Sequence, residues 1–186
     1  MELVAGLDEV GRGAWFGPVV AAAVIMPLGG WHSGITDSKK LSPRRRRQLV
    51  EVVKREAIAW GIGVVDVAEI DRFNILQASL LAMERGLAGL GVVPHHCLVD
   101  GRDRLRWREV APIPQTTIVG GDGLSMAIGA ASIVAKVYRD DLIGAMASIY
   151  RGYDLENNKG YGTPKHRQGI AKLGLTDQHR RSFRLL

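Results

Sequence analysis

Residues 3–13 read LVAGLDEVGRG: a short apolar run, Leu3 to Leu7, delivers two adjacent carboxylates, Asp8 and Glu9, to a turn built on Gly11 and Gly13. The apolar run predicts a strand over 3–7. Neighbouring residues on a strand face opposite sides, so both acids serve one site only if the chain bends at them, and the glycines permit that bend. They also bare backbone N–H groups that can approach a sugar or phosphate closely. The stretch reads as metal ligands beside a nucleic-acid backbone clamp. Taken alone it suits a polar turn after a strand better, and the rest of the chain has to decide.

Outward from this stretch, apolar runs predict strands at 18–26, 61–66, 97–100 and 116–119. Helix starts are marked by Ser42 before Pro43, by Asp66 with Glu69, and by Thr163 before Pro164, which predict helices near 43–60, 68–90 and 164–173. A longer helix is predicted over about 125–150, where Ala127, Ala130, Ala131, Val134 and Val137 recur at helical spacing. Most of these are small, which lets the helix lie close against a sheet. The order of elements defines an α/β domain with a central sheet covered by helices. No repeat or linker divides the 186 residues, so one domain over 1–186 is expected.

Lys and Arg number 25 against 19 Asp and Glu, a formal +6 that suits a polyanionic partner. Cys97 is the only cysteine and excludes an internal disulfide. The longest apolar run, Val19 to Met26, is too short to cross a bilayer. The first residues lack the basic start and apolar stretch of a secretory signal. A cytoplasmic protein without membrane contact is expected.

Two further acids fit the opening pair. Asp100 ends the apolar segment CLVDG, and Asp140 lies in AKVYRD with Lys136 one helical turn before it. Asp100 also suits a turn before Gly101, and Asp140 an intrahelical pair with Lys136. Together, Asp8, Glu9, Asp100 and Asp140 offer four hard oxygen donors, which Mg²⁺ or Mn²⁺ prefer, whereas zinc takes His and Cys.

These residues carry a resemblance. GLDEVGRG at 6–13, DSKKLS at 37–42, NIL and ASLLAM within 74–83, VDG at 99–101, GAASIVAKVYRD at 129–140, KGYGT at 159–163 with His166, and HRRSF at 179–183 follow one another over nearly the whole chain. In that order they resemble the ribonuclease HII family, the bacterial type 2 ribonucleases H. The resemblance implies a ribonuclease H-like fold, a mixed central sheet flanked by helices with a helical C-terminal part. It implies Asp8, Glu9, Asp100 and Asp140 as catalytic acids that bind two divalent cations, Mg²⁺ or Mn²⁺. It assigns Gly11, Arg12 and Gly13 to the ribonucleotide and Tyr161 to the sugar beside the cleavage site. Lys39, Lys40, Lys165, Arg180 and Arg181 are assigned to the substrate backbone, and His166 either assists near the leaving group or caps or packs its helix.

The implied substrates are RNA/DNA hybrids and DNA duplexes containing ribonucleotides, as in the removal of misincorporated ribonucleotides and RNA primers, and a monomer is expected. Cleavage on the 5′ side of a ribonucleotide would leave a 3′-hydroxyl and a 5′-phosphate. Two ions roughly 3.5–4 Å apart can activate a water and stabilise the departing oxygen. Asp8 suits the bridging position, Glu9 and Asp100 one shell, and Asp140 the other. Backbone groups of Gly11 to Gly13 could hydrogen-bond the 2′-hydroxyl that separates ribose from deoxyribose.

The chain departs from the family pattern at Gly120, where a lysine is frequent, and at Gly129, where the common alanine would favour the helix by about 1 kcal/mol. No additional domain precedes the first strand, which argues against the related ribonuclease HIII type. Arg44 to Arg47 fan around a helix and cannot all face one duplex. His95, His96 and Cys97 have contiguous spacing that does not suit a zinc site, and Cys97 is expected to be buried. Two alternatives stand against the main reading. A nucleotide-binding module would need G-x-G-x-x-G or G-x-x-x-x-G-K followed by Ser or Thr, and Gly11, Gly13 and Gly17 fit neither. A DNA resolvase of the same fold could share the four acids, but Tyr161 weighs against it.

Overall fold

The computed structural model describes residues 2–29, 35, 38 and 41–185. Five strands, β1 (Val4–Val10), β2 (Val19–Ile25), β3 (Ala59–Val65), β4 (His96–Asp100) and β5 (Gln115–Ile118), form one mixed sheet in the order β3-β2-β1-β4-β5. β1, β2 and β3 run antiparallel, whereas β1, β4 and β5 are parallel. Among the described residues six α-helices accompany them: α1 (Pro43–Glu56), α2 (Val67–Phe73), α3 (Ile75–Ala88), α4 (Met126–Ala147), α5 (Leu155–Asn158) and α6 (Pro164–Leu173).

β2 explains the layering. It is apolar and buried at every position, because both of its faces are covered. Ala21, Ala23 and Ile25 join the core beneath α3, while Val20, Ala22 and Val24 join the core beneath α1 and α4. The helices approach through glycine notches. A Cβ on Gly6 of β1 would lie 2.1 Å from the Ala127 backbone of α4, and one on Gly63 of β3 would lie 1.8 Å from the Ala82 carbonyl of α3. A third cluster, Phe16, Ile143, Tyr153, Leu155 and Ile170, ties the C-terminal helices to the end of α4 and to the β1–β2 loop.

The expected helix starts all form. Ser42 accepts from the Arg45 N–H, Asp66 and Glu69 make a reciprocal capping box, and Thr163 accepts from the His166 N–H. Gly129 does not interrupt α4. Three expectations need correction. β1 continues through both acids to Val10, because β2 pairs with Asp8, Glu9 and Val10 across Ala22, Ala21 and Val20. The bend comes only at Gly11, with φ +92°. The single helix expected over 68–90 is broken at Asn74, whose φ of 70° ends α2 while its side chain caps α3 at the Gln77 N–H. α1 stops at Glu56 because β3 already pairs with β2 at Ala59. Among the described residues no helix is long and apolar enough to cross a membrane.

Candidate active site

Parallel pairing of β1 with β4 aligns Leu7 with Val99, so the next residues, Asp8 and Asp100, stand side by side where the two strands part. Strand ends of this kind collect sites in α/β sheets. Side-chain alternation gives Leu7 to the core beneath α3 and turns Asp8 toward Ser132 of α4. The Ser132 side chain lies beside the Asp8 carboxylate and favours its ionised form, and its hydroxyl donates to the Ser38 hydroxyl at 2.9 Å. Asp8 Oδ1 also accepts from the Glu9 N–H at 2.7 Å, and Asp100 Oδ1 accepts from the Gly121 N–H at 2.7 Å. Carboxylate oxygens of Asp8, Glu9 and Asp100 all fall within 4.8 Å of one another.

That proximity is costly. Burial, then the charges of Glu9 and Asp100, hold the Asp8 carboxyl well above the usual carboxylate range. Glu9 is raised as well, by burial, although the Arg12 guanidinium at 3.2 Å opposes the shift. Three converging carboxylates without imidazole or thiolate form a donor set that fits a hard divalent cation, which would relieve the repulsion.

Asp140 stands apart from this triad. Ser132, Lys136 and Asp140 follow at four-residue spacing along one face of α4. Lys136 lines the cleft with Asp8 and Glu9, and its ammonium donates to Asp140 at 2.8 Å. Arg46 approaches the other Asp140 oxygen at 4.0 Å. The intrahelical pair considered from sequence is therefore present, and the fourth acid lines an adjoining cavity with Arg46, Arg47 and Lys159.

The cleft of about 550 Å³ is also bounded by Gly11, Arg12, Gly13 and Tyr161. Gly11 is required by its positive φ and by Arg139, whose Nε would lie 2.2 Å from an added Cβ. An added Cβ on Gly13 would stand 3.9 Å from the Tyr161 ring. Three segments fix this rim. Trp15 and Phe16 donate backbone N–H groups to the Gly160 carbonyl, Gly17 donates to the Gln178 carbonyl, and the Arg180 N–H reaches the Trp15 carbonyl.

Two expected substrate contacts lie elsewhere. His166 is fully buried: one ring nitrogen is 2.9 Å from the Tyr161 carbonyl and the other is 3.1 Å from His179, so it supports the loop from beneath instead of facing the leaving group. Arg180 is fully buried too and donates to the carbonyls of Gly11, Arg12 and Gly17, which leaves it no phosphate to reach. Arg139, missed in the sequence, is its counterpart and donates to Phe16, Pro18 and Lys159 carbonyls. Both arginines sit inside quoted motifs, but nothing in local spacing separates a buried arginine from a solvated one.

Lys39 and Lys40 lie outside the described residues. Lys165 is exposed, with its ammonium 3.9 Å from Asp154. Arg181 is exposed, and its backbone N–H donates to Asp71. Within the arginine run, Arg46 binds the Ser38 and Leu41 carbonyls and Arg47 pairs with Asp141. His95 accepts from the Leu3 N–H and His96 meets Thr116, so neither forms a metal cluster with Cys97. Cys97 is buried, and burial pushes its thiol up to about 12.

A mixed sheet in this order, carrying an acid cluster at the ends of its two central parallel strands, defines a hydrolase of the ribonuclease H-like class. A sequence model of the family described as Ribonuclease HII matches residues 5–186. The chain belongs to the ribonuclease HII family, endoribonucleases that act on the RNA strand of RNA/DNA hybrids. It is 52% identical to Ribonuclease HII of Moorella thermoacetica over 181 residues, covering 97% of this chain and 86% of that one. It is 54% identical to Ribonuclease HII of Acaryochloris marina over 186 residues, covering 98% and 92%. The solved ribonuclease H2 of Pyrococcus horikoshii OT3 superposes with a TM-score of 0.81 at 25% identity, covering 98% of this chain and 94% of that one.

Proposed function

We propose that this chain, acting as a single-domain monomer, cuts RNA/DNA hybrids and also the 5′ side of single ribonucleotides in duplex DNA, leaving a 3′-hydroxyl and a 5′-phosphate. The observation that carries the reading is the convergence of Asp8, Glu9 and Asp100 oxygens within 4.8 Å, with Asp8 and Glu9 lining a cleft that Gly11 to Gly13 and Tyr161 also bound. Asp8, Glu9 and Asp100 are the residues that would hold a divalent cation, Mg²⁺ or Mn²⁺, and Asp140 supplies the fourth carboxylate toward a second. Bound there, the cations supply an acidified water and charge stabilisation at the departing oxygen.

The remaining work falls to the chain itself. Ser132 and the Glu9 N–H orient the Asp8 carboxylate, and the Gly121 N–H orients Asp100. Lys136 neutralises Asp140 at the edge of the cleft. The backbone of Gly11 to Gly13 approaches the ribose, where the 2′-hydroxyl is the local mark that distinguishes RNA from DNA. Tyr161 presents its ring to the neighbouring sugar, and Lys39 serves a phosphate.

The test is incubation with three duplexes: DNA holding one ribonucleotide, an RNA/DNA hybrid, and all-DNA, each with Mg²⁺, Mn²⁺ or a chelator. Cutting of the first two, metal-dependent and with ends as stated, is expected. Cutting of all-DNA, or cutting in chelator, would overturn the proposal.

A further inference from the structure

We infer that Arg180, one residue short of the end of the HRRSF motif's basic pair and far from the acids in sequence, is a positioning residue that aims the Arg12 and Gly13 backbone N–H groups at the ribose 2′-hydroxyl. The inference rests on the reading of Gly11 to Gly13 as the ribonucleotide contact and adds what sets its geometry.

Arg180 is 0% exposed, whereas Arg12 and Gly13 directly above it are exposed. Its Nη1 donates to the Gly11 carbonyl at 2.7 Å and to the Arg12 carbonyl at 3.0 Å, and its Nε donates to the Gly17 carbonyl at 2.9 Å. Among the described residues no peptide bond is cis. In a planar trans peptide the carbonyl of one residue and the N–H of the next point in opposite directions. Drawing the Gly11 and Arg12 carbonyls down onto the buried guanidinium therefore turns the Arg12 and Gly13 N–H groups up, toward the open side of the loop that bounds the cleft. One guanidinium nitrogen thus orients two adjacent donors, the arrangement that makes successive amides a receptor for an electron-rich oxygen.

The expense of this arrangement indicates that it is not incidental packing. A buried guanidinium normally has a carboxylate partner. Among the described residues none lies within ion-pair distance of Arg180, and its Nη2 has no hydrogen-bond partner. Arg139 adds a second buried cation under the same loop, on the Phe16 and Pro18 carbonyls. Only a forked, planar donor can hold the Gly17 carbonyl and both loop carbonyls together; an ammonium cannot reproduce the fork.

Arg180→Lys tests the inference, with Arg180→Met as the second variant. Binding to a hybrid and to an all-DNA duplex is measured in chelator, beside thermal melting. The preference for the hybrid should fall about tenfold, the loss of a good hydrogen-bonding arrangement, while affinity for all-DNA stays as in the parent. Equal loss on both duplexes would make Arg180 a phosphate ligand, and an intact preference in a variant that merely melts lower would make it a structural residue; either overturns the inference. Amide NMR of the parent separates it from the reading beneath it. If Arg12 and Gly13 amides respond alike to hybrid and all-DNA, the ribose contact itself fails. If they distinguish the two and Arg180→Lys still does so, only the positioning role fails. Should neither variant fold, the parent's Arg180 guanidinium resonances decide: they shift with the hybrid and not with all-DNA, and indifference overturns the role.

Discussion

Asp8 concentrates the conflict on which the site is built. It is buried, adjacent to Glu9 in sequence and beside Asp100 across the strand pair, so its ionised form is disfavoured until a cation arrives. Its folded pKa lies above the unfolded value, so the folded state binds the proton more tightly. Stability of the metal-free protein therefore falls as pH rises from the ordinary carboxylate range through the raised value. Asp8→Asn should abolish cleavage, raise the melting temperature in chelator at neutral pH and flatten this pH slope; a variant that melts lower than the parent would count against stored repulsion. Calorimetry with and without Mn²⁺ makes the comparison, since the cation should raise the parent's melting temperature more than the variant's. Tyr161 carries a different expectation. Its ring stands near Gly13, with the Arg139 guanidinium 5.7 Å from its centroid, and its carbonyl is held by His166. Tyr161→Ala should lose most cutting at a single embedded ribonucleotide and less within a continuous hybrid, where the neighbouring sugar is ribose and the preference is not used. Equal losses on both substrates, at an unchanged melting temperature, would leave the ring as a general support.

At the scale of elements, the C-terminal segment acts on the site through α6. Thr176 donates its N–H to His179 Nδ1, which leaves the His179 proton on Nε2. His166 Nε2 must then accept at 3.1 Å, and His166 Nδ1 donates to the Tyr161 carbonyl at 2.9 Å. Burial, and then the neighbouring His166, push His179 down to about 4, and burial lowers His166 as well. Folded pKa values below the unfolded value of about 6.5 mean that the unfolded chain binds protons more readily, so this chain of hydrogen bonds loses stability as pH falls from about 6.5 toward about 4. His179→Gln should remove part of that acid sensitivity, read as the difference in melting temperature between parent and variant across the window; identical slopes would show that the pair does not titrate. The contact of α3 with β3 gives a second test. Gly63→Ala would force a Cβ against the Ala82 carbonyl and should destabilise by about 1–3 kcal/mol, measured by denaturant melting. These features also mark what could be read from sequence. The strands and caps were legible because apolar runs, Ser42, Asp66 and Thr163 act within a few residues. The break at Asn74 was not, because the apolar spacing runs on past it. Arg180 was misplaced and His166 left open for a related reason: their partners lie in segments brought together only by the fold. For the acids, the motif-based assignment placed Asp8, Glu9 and Asp100 beside one another, while the offset of Asp140 depends on the path of α4 over the sheet.

For the whole molecule, the +6 charge has to be divided by what each cation is already doing. Arg139 and Arg180 are consumed inside the fold, Arg46 is bound to backbone carbonyls, and Arg47 is paired with Asp141. Burial, followed by repulsion from Arg139, pushes Arg180 down to about 9, which leaves it charged at neutral pH but still beneath the surface. Net charge therefore overstates the number of cations that can meet phosphates. Lys165 illustrates the other kind: it is 73% exposed at the start of α6, two residues after the KGYGT loop, and only weakly engaged by Asp154 at 3.9 Å. Each phosphate neutralised by such a group releases condensed counterions, so log affinity should fall linearly with log salt, by about 0.9 per contact on duplex DNA. Affinity for an all-DNA duplex in chelator, measured from low to moderate salt, isolates this component from ribose recognition. Lys165→Ala should make the slope shallower by about 0.9, the share of one contact, while Arg180→Lys leaves it unchanged. A flat salt response in the parent would remove the basic face as a source of affinity, and a shallower slope in Arg180→Lys would return that residue to the surface role from which its burial excludes it.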